Sequence, residues 1–177
     1  MSPQFSIATI ESGAGITDAI PASYMISIQS QLDTAYLQHV VLSPTSGALT
    51  NHSTCDDGVT TIPTTLIDLH SKQLEASHPS TLAATNTSTA GLGIGLTIYN
   101  STTGRALAGY VHNFIPRLGT VHIPIATIEA RPQFPPSADT PHYNIKPGFI
   151  FPGFFQHLVT NIQAGVTTDM TAVCRLN

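Results

Sequence analysis

From residue 92 onward the main pattern is alternation of apolar and polar positions, the period of a half-buried strand. Ile94, Leu96 and Ile98 fall on one face, with Gly93, Gly95, Thr97 and Tyr99 on the other. Asn100-Ser-Thr-Thr-Gly104 supplies turn chemistry and the extended pattern resumes over Ala106 to Phe114, so these runs predict a hairpin. Val121, Ile123 and Ile125 continue an inward face. The next apolar residue, Ile128, shifts the parity and predicts a bulge or strand end near Ala126. Pro124 has no N–H for a ladder, which places its strand at an edge or at a bulge. Pro132, Pro135, Pro136 and Pro141 predict an irregular loop. Phe149 to Val159 is apolar on both faces and, apart from Pro152, predicts a central strand covered on both sides.

The first third of the chain is less periodic. Phe5 to Ile10 and Tyr24 to Ile28 suit strands around the Gly13-Ala-Gly15 break. Within Ser30 to Leu42, Leu32, Tyr36 and Val40 fit a helix with Ser30 and Asp33 imitating a capping box, but Tyr36 to Leu42 also suits a strand, the reading preferred here. Asp68 to Ser77 predicts a short helix with Asp68 as N-cap and Leu69 and Leu74 as its apolar side. Ser80 to Thr89 is the one Thr/Ser-rich patch of low complexity, and no repeat of fixed period occurs.

Composition narrows this picture. With only 6 basic and 10 acidic residues against 24 Thr and 15 Ser, solubility rests on neutral hydroxyls, as in an extracellular all-β domain. At 177 residues one domain spanning 1–177 is expected. Lys72, Arg105, Arg117, Arg131, Lys146 and Arg175 are spread too thinly to grip phosphates, so nucleic acid is not expected as a partner. The net charge of −4 counts eight histidines as neutral, and protonating all of them in mild acid would reverse its sign. The start, Met1-Ser2-Pro3-Gln4-Phe5, has neither the basic nor the apolar stretch of a signal peptide. Phe149 to Phe155 is far shorter than the roughly 20 residues of a membrane span, so no membrane insertion is expected.

Cys55 and Cys174 lie 119 positions apart with no metal-type spacing, and a disulfide between them is the preferred reading over two free buried thiols. In the chain-entropy model a bridge over such a loop stabilises by roughly 4–5 kcal/mol before strain is subtracted.

Enzyme signatures are missing from the sequence. Gly91-Leu-Gly93-Ile-Gly95 superficially matches a dinucleotide loop, but the third glycine would fall at Leu96, so a glycine-relaxed strand is the better account. No Walker loop, Gly-x-Ser-x-Gly elbow or His-Glu-x-x-His occurs. No catalytic residue and no cofactor is therefore expected. Zinc is the minor alternative, with His112 and His122 as candidate ligands if the fold pairs their strands.

Sugar sites combine short carboxylates and amides, which pair with hydroxyls, and an aromatic face for the apolar side of the ring. Candidates are Asn51, His52, Asp56 and Asp57 around Cys55, then Asp139, His142 and Tyr143, then Asn161, Gln163 and Asp169. Asn51-His-Ser, Asn86-Thr-Ser and Asn100-Ser-Thr also satisfy the glycosylation pattern, which a Thr/Ser-rich chain meets often by chance.

Ile145-Lys-Pro-Gly-Phe-Ile-Phe-Pro-Gly-Phe-Phe-Gln-His-Leu-Val-Thr-Asn161 resembles the late strand of bacterial chaperone-usher fimbrial tip adhesins, where an Ile-Lys-x-Gly turn leads into an apolar strand and a polar, sugar-contacting loop. Gly91 to Gly104 is similar to the Gly-Ile strand and turn of fimbrial subunits. The likeness covers about a third of the chain. It implies an N-terminal receptor-binding domain built as an antiparallel β-sandwich, immunoglobulin-like or jelly-roll-like, with at most one or two short helices. The family's sugar-binding acid would fall at Asp56 or Asp57, and its polar loop at Asn161, Gln163 and Asp169. The early cysteine and pocket aromatics of the mannose-binding member are missing, so mannose is not implied.

The expected function is non-enzymatic adhesion outside the cell, at a fimbrial tip on the bacterial surface. Its expected partners are a host or surface glycan or glycoprotein and, through an adjoining pilin domain, other fimbrial subunits. Two alternatives are a receptor-binding head or protruding domain of a viral capsid or fibre, and a structural pilin-like subunit.

Overall fold

The structure, a computed structural model, describes residues 5–16, 39–42, 49–51, 67–71, 76–131 and 142–171. The chain divides into two compact units, Met1–Asp33 and Thr34–Asn177.

The described part of the first unit is a short helix, α1 (Ile7–Gly13), where a strand was expected. Ser6 sets it, because its side chain accepts the N–H of Thr9 and satisfies one of the orphan donors of the first turn. The alternating look of Phe5 to Ile10 carried no such local bond.

In the second unit the described strands are β1 (Val40–Leu42), β2 (Leu49–Asn51), β3 (Ile67–His70), β4 (Ser80–Asn86), β5 (Leu92–Asn100), β6 (Ala106–Ile115), β7 (Thr120–Pro124), β8 (His142–Pro147), β9 (Gly153–Asn161) and β10 (Val166–Asp169), with α2 (Ile125–Glu129) after β7. β1 and β2 form a small hairpin that lies against β10. The others form two four-stranded antiparallel sheets, here sheet I in the order β10-β9-β4-β7 and sheet II in the order β3-β8-β5-β6. The pairs β5–β6, β4–β7 and β3–β8 are nested inside one another, as in one long hairpin rolled up so that successive rungs fall in alternate sheets. That winding is jelly-roll-like and separates this all-β sandwich from the immunoglobulin-like alternative.

One core joins the sheets. Leu82, Ala84, Ile123 and Phe155 come from sheet I, and Leu69, Ile94, Leu96, Ile98, Tyr110, Tyr143 and Ile145 from sheet II. Period-two alternation delivers them, since β5 buries Ile94, Leu96 and Ile98 and turns Gly93, Gly95 and Thr97 outward. The expected β5–β6 hairpin is present. Asn100 Oδ1 accepts the N–H groups of Thr102 and Thr103, and Gly104 adopts the left-handed conformation that closes the turn.

Two further expectations are corrected and two are met. Asp68 to Ser77 does not begin as a helix: β3 occupies 67–70, where Ile67 and Leu69 alternate into the core opposite Ile145 and Tyr143. Burying two large apolar side chains there outweighs one N-cap. Of the bulge or strand end expected near Ala126, the strand end is present: β7 stops at Pro124 and α2 follows, its turn carrying Ile125 and Ile128 into the same core. β7 is an edge strand that ends at Pro124, as the missing N–H required. Last, β9 is central but begins only at Gly153, with Phe149 and Ile150 exposed before it, and its outward residues are partly exposed rather than covered. Gly153 starts this strand because a Cβ there would run into the Thr85 carbonyl oxygen of the paired β4.

Pro132 to Pro141, Tyr24 to Ile28, Asp139 and both cysteines lie outside the described residues, so the expected Cys55–Cys174 bridge does too.

Candidate functional site

Sheet I turns one side chain of every two toward the core and the other outward. Its register stacks the outward residues in rows across the strands: Asp169, Leu158, Thr81 and Pro124; then Gln156, Ala83 and His122; then Phe154, Thr85 and Thr120. Rows repeat every two residues, so the first and third stand roughly 13 Å apart. A shallow open groove of about 480 Å³ crosses this face, lined among the described residues by Val41, Thr81, His122, Pro124, Leu158, Thr160, Gly165 and Thr167.

The face is chemically uniform in a useful way. None of those groove residues is an Asp, Glu, Lys or Arg, and three of them are threonines. Thr160 and Thr167 hydroxyls sit 3.0 Å apart across β9–β10, and Thr85 and Thr120 hydroxyls 2.9 Å apart across β4–β7. Thr160 and Thr167 are partly exposed on the face, whereas Thr85 is 4% exposed and its pair with Thr120 serves the β4–β7 seam. Asp169 lies in the same row as Leu158 and Thr81, and its Oδ2 accepts from Gln156 Nε2 at 2.7 Å. Phe154, partly exposed beside Thr85, adds an aromatic surface at the far end.

The three expected sugar clusters do not converge. His52, Asp56 and Asp57 lie outside the described residues, and of Asn51 only the backbone is described, paired in β2 with Val40. Asn161 Oδ1 accepts the N–H of Ala164 and closes the β9–β10 turn, in which Gln163 is exposed. Both therefore flank the groove at Gly165, while Asp169 stands on the face itself. Tyr143 has no surface to offer a ligand. It is 1% exposed, and its hydroxyl donates to Glu129 Oε1 at 2.9 Å, an oxygen that also accepts from Ser71 Oγ at 2.8 Å. Burial, and to a smaller extent the neighbouring carboxylate, push its pKa up to about 12 against the opposing Ser71 hydrogen bond. This network ties α2 to the β3–β8 pair. Asn86, in one of the sequons, is likewise fully buried, donating to the carbonyls of Ala90 and Pro116.

His142 belongs to a different corner. It sits opposite His70 across the β8–β3 pair, with its Nδ1 3.3 Å from Asp68 Oδ2. Metal-ligating atoms of Asp68, His70 and His142 all lie within 4.8 Å of one another. The expected pair His112 and His122 does not meet: His112 is on β6 in sheet II and His122 on β7 in sheet I, both at sheet edges with no pairing between them.

Behind this corner His157 faces the sandwich interior. Its Nε2 is 2.8 Å from Ser80 Oγ, and Ser80 Oγ also accepts the N–H of His70. Burial foremost, then repulsion from His70, lower the His157 pKa to about 4, so the imidazole is neutral at pH 7. A serine beside a neutral imidazole has the makings of a nucleophile. Here, though, Ser80 is fully buried and His157 only 4% exposed, so the pair serves packing between the sheets.

Sequence reasoning missed Thr81, Leu158, Thr160 and Thr167, although the β9 alternation of Phe154, Gln156, Leu158 and Thr160 was there to read. The doubly apolar look of Phe149 to Val159 hid it. His70 was missed because a helical reading of 68–77 concealed the Asp68-x-His70 spacing that puts both side chains on one side of a strand. Comparison of the chain with protein-family models, curated proteins and solved structures finds no match.

Proposed function

We propose that the chain is a non-enzymatic adhesion domain that binds a neutral glycan on the outer face of sheet I. The observation that carries this reading is the groove itself, free of Asp, Glu, Lys and Arg in its lining, hydroxyl-rich and contributed by all four strands. Paired threonine hydroxyls, the Gln156 amide and the Asp169 carboxylate match the donors and acceptors of a sugar, while Leu158, Pro124 and Phe154 suit its apolar faces. A sheet face is also more rigid than a loop, which lowers the ordering cost of binding a flexible oligosaccharide. On this reading the chain acts outside the cell, at a fimbrial tip, with a glycoprotein receptor on one side and fimbrial subunits on the other.

The test is a glycan array followed by calorimetry on the strongest ligand. Thr160→Val and Leu158→Ala are expected to weaken binding about tenfold or more, since each removes hydrogen bonds or apolar cover in the groove centre. Binding is expected to hold from low to near-molar salt, because no ion pair is involved. A ligand whose affinity both substitutions leave unchanged, or one released by salt, would place recognition elsewhere.

A receptor-binding head of a viral capsid or fibre is the second reading, favoured by the jelly-roll-like winding. Sedimentation separates the two: the adhesin reading expects a monomer, the viral head a trimer or dimer.

A further inference from the structure

We infer that Asp68, His70 and His142 form a binding site for one divalent transition-metal ion of the zinc class, clamping the edge strand β3 to β8. The residues reach this arrangement through strand geometry alone. Asp68 and His70 are two apart on β3 and so point to the same side, opposite to the buried Ile67 and Leu69. His142 is the direct cross-strand partner of His70, which brings the two imidazoles to 4.7 Å between ring centroids, edge to face.

Two observations favour a metal over a simple ion pair. The Asp68 Oδ2 to His142 Nδ1 separation of 3.3 Å is close to the roughly 3.3–3.5 Å edge of a tetrahedron whose metal–ligand bonds are about 2.0–2.1 Å. His70 Nδ1 is buried with no hydrogen-bond partner, a costly state for an imidazole nitrogen that a metal bond at that atom would relieve. The donor set of two imidazoles and one carboxylate is the borderline type that zinc takes, leaving a fourth position for water. Access is open, since Asp68 is exposed and His142 half-exposed at the rim of the sheet. His157, ring to ring with His70 at 5.2 Å, braces the inner imidazole from behind.

The site is separate from the proposed glycan face of sheet I, so it stands or falls by itself. Its test is titration of the chelator-treated protein with zinc chloride, by calorimetry at neutral pH, and with cobalt chloride, by visible absorption. One ion per chain is expected, with a rise in melting temperature and the visible bands of tetrahedral cobalt. His70→Ala and His142→Ala are expected to weaken affinity about 100-fold, and Asp68→Asn, whose exposed side chain spares the fold, about tenfold. His112→Ala should bind as the parent does. A flat zinc titration of the folded parent, or undiminished affinity in Asp68→Asn and His142→Ala together, overturns the site.

Discussion

The two sheets share a core but treat their outer faces in opposite ways. Sheet I presents threonines, an amide, a carboxylate and a histidine in register, and puts polar groups inside as well, with Ser80, Asn86 and His157 all buried. Sheet II fills its inner face with Ile94, Leu96, Ile98 and Ile145 and leaves its outer face partly bare. There Gly93 and Gly95 carry no side chain, Phe149 lies over Gly95, and Val111 and Phe114 are exposed. A Cβ at Gly91 would strike the Phe114 ring, and one at Gly93 would approach the Asn113 carbonyl oxygen to 2.9 Å. The glycines thus serve close approach in sheet II, whereas the threonines of sheet I serve hydrogen bonding. The comparison teaches that one fold can carry a hydroxyl-rich outer face on one sheet and a glycine- and aromatic-bearing one on the other, by what each strand shows on its second face.

Substitutions can break this contrast, beginning with the most damaging. Gly153→Val forces a side chain into the Thr85 carbonyl at the β4–β9 pairing and is expected to cost about 4 kcal/mol or prevent folding, measured by urea denaturation. Leu69→Ala, in the sheet II core, is expected to cost about 3 kcal/mol by the same measurement, since a fully buried leucine leaves a cavity. On the outer face of sheet I, Thr160→Val is expected to change stability by less than about 0.5 kcal/mol while impairing ligand binding. Equal stability losses at Leu69 and Thr160 would dissolve the division between the layers.

Acid sharpens the comparison at the polar interior of sheet I. The unfolded His157 imidazole titrates near 6.5 and the folded one near 4, so between these values the unfolded chain holds the extra proton. Stability is therefore complete above about pH 6.5 and falls as the pH drops toward 4, by up to about 3 kcal/mol from this residue. A urea midpoint series across that range checks it. His157→Gln, which keeps an acceptor for the Ser80 hydroxyl, is expected to flatten the slope, and an unaltered slope would assign the acid sensitivity to other groups.

The all-β class was legible because low charge and period-two alternation are local properties. Ile94, Leu96 and Ile98 announced their strand, the Asn100 to Gly104 turn announced its hairpin, and Pro124 announced an edge. Legibility stopped where local and long-range preferences disagreed. Asp68 suits an N-cap and sits mid-strand because Leu69 has a core partner 74 residues away in Tyr143. Of the candidate site, Asp169 was expected in a polar loop with Asn161 and Gln163 but stands in β10, and its neighbours Leu158 and Thr81 come from other strands and share no sequence proximity with it.

What the sequence determined by itself was therefore the repertoire: strands that alternate, turns closed by Asn and Gly, a neutral hydroxyl-rich surface and few ionisable groups to place. Only the tertiary structure decided which residues stand beside one another. Rolling a nested hairpin into two sheets puts β4 next to both β7 and β9, and β8 next to β3, at sequence separations no periodicity encodes. Thr81 meets Leu158, and His70 meets His142, through that register alone. The physical reason is that side-chain burial fixes the register of each pair, because a slip of one residue would turn every core side chain out to solvent.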